Sequence, residues 1–117
     1  MINKYKNIRI GFEDYKIEFD ELQIKYEKLG RIIYEPPTII IDSRLDERAT
    51  ANVLMHEILH GVSARYLETE LTERQVEILA NLLSTMFRDN VLLFTNVIND
   101  SKKGGGIWSQ KPPFITA

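Results

Sequence analysis

The chain has 117 residues, enough to enclose one hydrophobic core and too few for a second. Hydrophobic residues make up 44% and charged residues 27%, the balance of an ordinary soluble globular protein, which argues against disorder and fibrous repeats. Fifteen basic against seventeen acidic residues leave a net charge of −2 and there is no cysteine, so the field that holds nucleic acid or an anionic membrane surface is missing, as are disulfides, thiolate catalysis and sulfur-ligated zinc.

The N-terminal stretch Met1 to Arg9 alternates polar and apolar residues, which is the pattern of neither a signal peptide nor a membrane span, and a cytoplasmic protein is expected. Ile8 to Phe12 and Tyr15 to Phe19 are short alternating runs parted by Glu13 and Asp14, a β-hairpin. Asp20 to Leu29 reads as a helical or irregular connection. Gly30 punctuates it before an extended run, Arg31 to Tyr34, and Pro36-Pro37 makes a turn into Thr38 to Asp42, whose three isoleucines favour a strand. A second hairpin follows.

From Asp46 the period changes to that of a helix, with Ala51, Leu54, Met55, Ile58, Leu59 and Val62 recurring to about Tyr66 and Asp46 or Ser43 available as N-cap. After a polar connection, Glu68 to Leu71, the pair Thr72 and Gln75 has the form of a capping box. A second helix then runs to about Arg88 on an apolar stripe of Val76, Leu79, Leu82, Leu83, Met86 and Phe87. Asp89-Asn90 reads as a stop and Val91 to Ile98 as a short last helix. Residues 101–117, with Gly104 to Gly106, Pro112 and Pro113, form a tail without regular structure. One domain over residues 1–100 and a C-terminal tail are expected.

Both histidines of the chain fall in one pentapeptide, His56-Glu57-Ile58-Leu59-His60, inside the first helix. Residues four apart lie one above the other on a helix, so two imidazoles can aim at a single zinc ion at about 2.0–2.1 Å. Glu57, about 100° further round the helix, flanks that point without occupying it. Zinc brings the pKa of a bound water from about 15.7 to about 7, and Glu57 is placed to activate that water by taking its proton, which is the chemistry of amide hydrolysis. On the helical wheel His56 and His60 share a side with Ala49, Val53 and Ser63. Leu54, Ile58, Ala51 and Val62 form the opposite, more apolar side.

A catalytic zinc usually takes three protein ligands. With both histidines used and cysteine absent, the third is expected to be a carboxylate. Glu68 and Glu70 belong to the connection, and Glu73 lies in the first helical turn, where the macrodipole already favours an acid. Glu77 shares a stripe of small and polar residues with Ala80, Asn81 and Ser84 and is the favoured ligand, with Glu73 in reserve. Asn81 is a candidate to orient a ligand. Thr38 to Asp42 is a candidate edge strand for pairing with an extended substrate, and Tyr34 and Tyr66 are candidate donors to an oxyanion. Trp108 and Phe114 of the tail are candidates for docking on a partner.

The helix bearing His56, Glu57 and His60, the second helix reading Val76-Glu77-Ile78-Leu79-Ala80-Asn81, and the strand Ile39 to Ile41 leading through Asp42-Ser43-Arg44-Leu45 into the first helix resemble short phage- and mobile-element-encoded metallopeptidases of the ImmA/IrrE type, in the zincin-like (gluzincin) clan. The resemblance covers residues 30–90 or so. It implies zinc held by His56, His60 and Glu77, Glu57 as general base, and an intracellular endopeptidase acting on a regulatory protein. The chain departs from many such relatives in having Ile58-Leu59 where a glycine is common.

Taken together these residues predict an α+β, zincin-like domain: a small antiparallel or mixed sheet packed on the zinc helix and a glutamate-bearing helix. The expected function is zinc-dependent hydrolysis of a peptide bond in a protein or peptide substrate, in the host cytoplasm if phage-encoded, with neither nucleic acid nor membrane as partner. The alternative is a non-catalytic phage or mobile-element binding module that keeps the fold.

Overall fold

The computed structural model describes residues 6–22 and 28–102. They form a small α+β fold of four strands and three helices: β1 (Asn7–Ile10), β2 (Glu13–Asp20), β3 (Gly30–Tyr34), β4 (Pro37–Asp42), α1 (Glu47–Tyr66), α2 (Glu73–Asp89) and α3 (Val91–Lys102). The candidate tail beyond Lys102, with Trp108 and Phe114, lies outside the described residues. The chain divides into two compact units, Met1–Ser84 and Thr85–Ala117, with the division inside α2.

In the first unit the strands form one mixed sheet in the order β1-β2-β4-β3. Both expected hairpins are present, but the first turns at Gly11-Phe12, where Gly11 takes a positive φ of 59°, and not at Glu13-Asp14, which belong to β2: β1 and β2 pair antiparallel with Ile10 opposite Glu13, and β3 and β4 pair antiparallel with Tyr34 opposite Pro37. They are joined by a parallel seam between β2 and β4, from Lys16 opposite Thr38 to Asp20 opposite Asp42. This order corrects the expectation for Thr38 to Asp42. That segment is flanked on both sides, and its Ile39 and Ile41 are wholly buried, as a central strand requires. The edge strands are β1 and β3, and β3 is the one beside the histidine cavity.

Alternation along the strands directs Tyr15 and Ile17 of β2 and Ile39 and Ile41 of β4 into one core with Ile10 and Val53, while Lys16 and Glu18, on the opposite face of β2, form an exposed ion pair at 3.2 Å. α1 lies over the core face. Its N-cap is Asp46, whose carboxylate accepts from the Ala49 amide at 2.8 Å, one of the two caps offered by the sequence. The side of α1 pressed on the sheet carries Thr50, Val53, Glu57 and Gly61, with Leu54, Ile58 and Val62 packed around the core's edge. Two glycines set how close the helix comes to β3. A Cβ on Gly61 would stand 2.9 Å from Ile32 Cδ1, and one on Gly30 would collide with Val53 Cγ1.

At its C-terminal end α1 is pinned to the first hairpin by Tyr66, whose hydroxyl accepts from the Phe12 amide at 3.0 Å and donates to the Ile10 carbonyl at 3.3 Å. α2 opens on the expected capping box: the Thr72 amide donates to Gln75 Oε1 at 2.9 Å and the Gln75 amide to Thr72 Oγ1 at 3.1 Å. Of the apolar stripe expected on α2, Val76 is wholly buried, whereas Leu82, Met86 and Phe87 stay exposed. In the second unit the Phe87 and Phe94 rings meet edge to face with centroids 4.8 Å apart. Among the described residues no helix is long and apolar enough to cross a membrane.

The passage from β4 to α1 is secured by Asp42. Its buried carboxylate accepts from Arg44 Nε at 2.9 Å, from Arg44 Nη2 at 2.7 Å and from the Arg44 amide at 2.9 Å, and the same guanidinium reaches the Leu22 carbonyl at 2.8 Å. Arg44 therefore holds the Asp42 carboxyl well below the usual carboxylate range. A depressed native pKa contributes stability that is complete above the unfolded value, about 3.9, and is lost as pH falls toward the native one. Asp42→Asn is expected to lower the urea midpoint at pH 7 and to flatten the fall of stability below about pH 4, read from urea titrations across that range.

Candidate metal centre

His56 and His60 stand on the same side of α1 with their Nε2 atoms 3.1 Å apart. Glu73, in the first turn of α2, spans them: Oε1 lies 2.9 Å from His56 Nε2 and Oε2 lies 3.1 Å from His60 Nε2. These three residues form a group whose ligand atoms all lie within 4.8 Å of one another. Two nitrogens bound to one zinc at about 2.05 Å in tetrahedral array would be about 3.3 Å apart, close to the spacing observed. With an N–H on one ring the two nitrogens can share a hydrogen bond, and with both lone pairs free they can face a common cation. Two nitrogens and a carboxylate are also the donor set of catalytic zinc sites of the two-histidine, one-glutamate kind. The residues present fit a divalent metal.

The carboxylate at the histidines is thus Glu73, held in reserve by the sequence reading, and not Glu77. Glu77 lines the same cavity one turn further along α2 but is not one of the three grouped residues. Glu73 reaches the imidazoles because α2 begins directly beyond the short connection after α1 and its first turn comes back beside the middle of α1, where the histidines stand. Asn81 bonds across to Asn52 of α1 and makes no hydrogen bond to either glutamate among the described residues.

The cavity has a volume of about 700 Å³. Its walls come from α1 through Asn52, His56, Glu57 and His60, from α2 through Glu73 and Glu77, and from the edge strand β3 and the residues just before it. Glu57 is 7% exposed and sits over Gly30, where a Cβ would come within 3.1 Å of both Glu57 Cγ and Oε2. Burial pushes its carboxyl above the usual range, while the two imidazoles pull it down; a cation between those imidazoles would add to the downward pull. The absent side chain of Gly30 is thus the space in which Glu57 is housed. That relation was not readable from sequence, where Gly30 marks only a strand boundary.

The tyrosines offered as oxyanion donors serve elsewhere. Tyr34 donates to the His60 carbonyl at 3.4 Å and carries the Arg65 guanidinium 4.9 Å over its ring, and Tyr66 pins the first hairpin. Neither lines the cavity. Burial is the main reason the Tyr34 hydroxyl has a raised pKa, which keeps it a neutral donor to the backbone of the histidine turn.

No protein-family model, no curated protein and no solved structure matches the chain.

Proposed function

We propose that the chain is a metal-dependent peptidase, with zinc as its metal and a protein or peptide as its substrate, of the zincin-like kind that its sequence resembles. The observation that carries this reading is the convergence of His56, His60 and Glu73 beside a buried carboxylate that is not among them. A divalent metal bound there supplies a Lewis acid for the scissile carbonyl and acidifies water.

The chain's own residues account for the rest. Glu57 lines the cavity next to the ligand group and is the base that takes a proton from the attacking water and returns it to the leaving amine. The missing side chain of Gly30 leaves the room in which that carboxylate stands. Among the described residues β3 pairs on one side only, with β4, so its other edge offers backbone donors and acceptors to an extended peptide running past the histidines. An open cavity of this size accepts a few residues of an extended chain and needs no deep cleft.

The test is chelator-reversible cleavage. The full chain, loaded with one equivalent of zinc, is incubated with a synthetic peptide library and the products are read by mass spectrometry. Cleavage that stops with a chelator and resumes with zinc is the expected result. A zinc-loaded chain that cleaves nothing in the library, yet captures an intact protein, would move the reading to a binding module.

A further inference from the structure

Glu73 is a ligand candidate whose side chain is 61% exposed, so little besides the placement of α2 holds it at the histidines. Val76 and Ala80, both wholly buried, hold the apolar side of α2, and two polar contacts, one on each side of the histidine group, mark its register. Beyond His60, the Leu71 amide donates to the buried Ser63 Oγ at 2.7 Å. Before His56, Asn52 Nδ2 donates to Asn81 Oδ1 and, at 3.5 Å, to Ser84 Oγ. Ser84 gives its own proton to the Ala80 carbonyl at 2.7 Å, which leaves its oxygen free to accept.

The spacing gives this second contact a particular consequence. Asn52, His56 and His60 repeat every four residues on α1, and Glu73, Glu77 and Asn81 repeat every four on α2. A slide of α2 by one such step, about 6 Å at about 1.5 Å per residue, would bring Glu77 to the histidines and carry Asn81 away from Asn52. The two glutamates are chemically identical, so the helix register alone chooses between them. We propose that the Asn52–Asn81 amide pair, completed by Ser84, is a register clasp that selects Glu73 over Glu77 as the carboxylate facing His56 and His60. This rests on the metal-centre reading given above.

The experiment measures zinc affinity of the full chain by competition with a chelator, and the visible spectrum of the cobalt form at saturation, for Glu73→Ala and Glu77→Ala in two backgrounds. With the clasp intact, Glu73→Ala is expected to weaken zinc at least about tenfold more than Glu77→Ala, in keeping with loss of a direct ligand against loss of a neighbour. In the Asn52→Ala background the ratio is expected to fall to within about threefold of one, because either glutamate then reaches the metal. The cobalt spectrum of Asn52→Ala should differ from wild type even at full occupancy, which a mere loss of stability would not cause. Asn81→Asp keeps the acceptor for Asn52 and should retain the wild-type ratio; Asn81→Leu serves as the second disrupting variant should Asn52→Ala fail to fold. A ratio unchanged in the disrupted background overturns the clasp. A wild-type chain that binds no zinc overturns the metal centre itself, and the two failures are read from different samples.

Discussion

Glu57→Gln is expected to lose about 10²–10⁴-fold in kcat, the usual contribution of a positioned general base, while keeping one zinc per chain. The amide has the shape of the carboxylate, so it should occupy the same space over Gly30 and beside Val53 without changing the packing of α1 on the sheet. It cannot accept the proton. Because the residue is 7% exposed, the substitution also removes a formal charge from a buried position, and removing such a charge relieves a desolvation cost. The metal-free variant should therefore unfold at a urea concentration no lower than wild type. Lost turnover with retained zinc and undiminished apo stability is a combination that general damage to the fold does not produce. Wild-type turnover in the variant would take Glu57 out of the chemistry.

Zinc in about thousandfold excess over its dissociation constant is expected to raise the unfolding free energy by about 4.1 kcal/mol, the value mass action assigns to a ligand that binds only the native state. Denaturant titrations of the metal-free chain with and without zinc measure it. His56→Ala and His60→Ala should abolish the increment, since each removes one of the two nitrogens that face each other at 3.1 Å. Glu73→Ala should reduce it and Glu77→Ala should leave it nearly intact, matching the place of each carboxylate in the cavity. An increment that survives both histidine substitutions would place the metal elsewhere on the chain.

The local elements were legible because their signals are local. The hairpin runs, the Asp46 cap, the Thr72–Gln75 box and the histidine pair each depend on residues within a few positions of one another, and each is present in the structure, the first hairpin with its turn two residues earlier than expected, at the positive-φ Gly11. What could not be read depends on residues far apart in the chain. The parallel seam that makes β4 central and β3 an edge joins Lys16 to Thr38, a pairing on which the alternation of either strand is silent. Glu73 and Glu77 lie four apart on the same helix, and only the position of α2 against α1 distinguishes them. The housing of Glu57 over Gly30 is likewise a contact across 27 positions that no local pattern records.

The parallel seam also bears on the order in which the molecule assembles. Each hairpin closes over a few residues and belongs to the microsecond class of events, whereas joining β2 to β4 must close a loop of some twenty residues before any contact repays it. α1 packs against β1 as well as β3 and β4, so the surface on which it rests is complete only after that join. On this order of assembly the histidine group is completed after the join. Zinc added to the folding chain should accordingly leave the refolding rate nearly unchanged and act almost entirely by slowing unfolding.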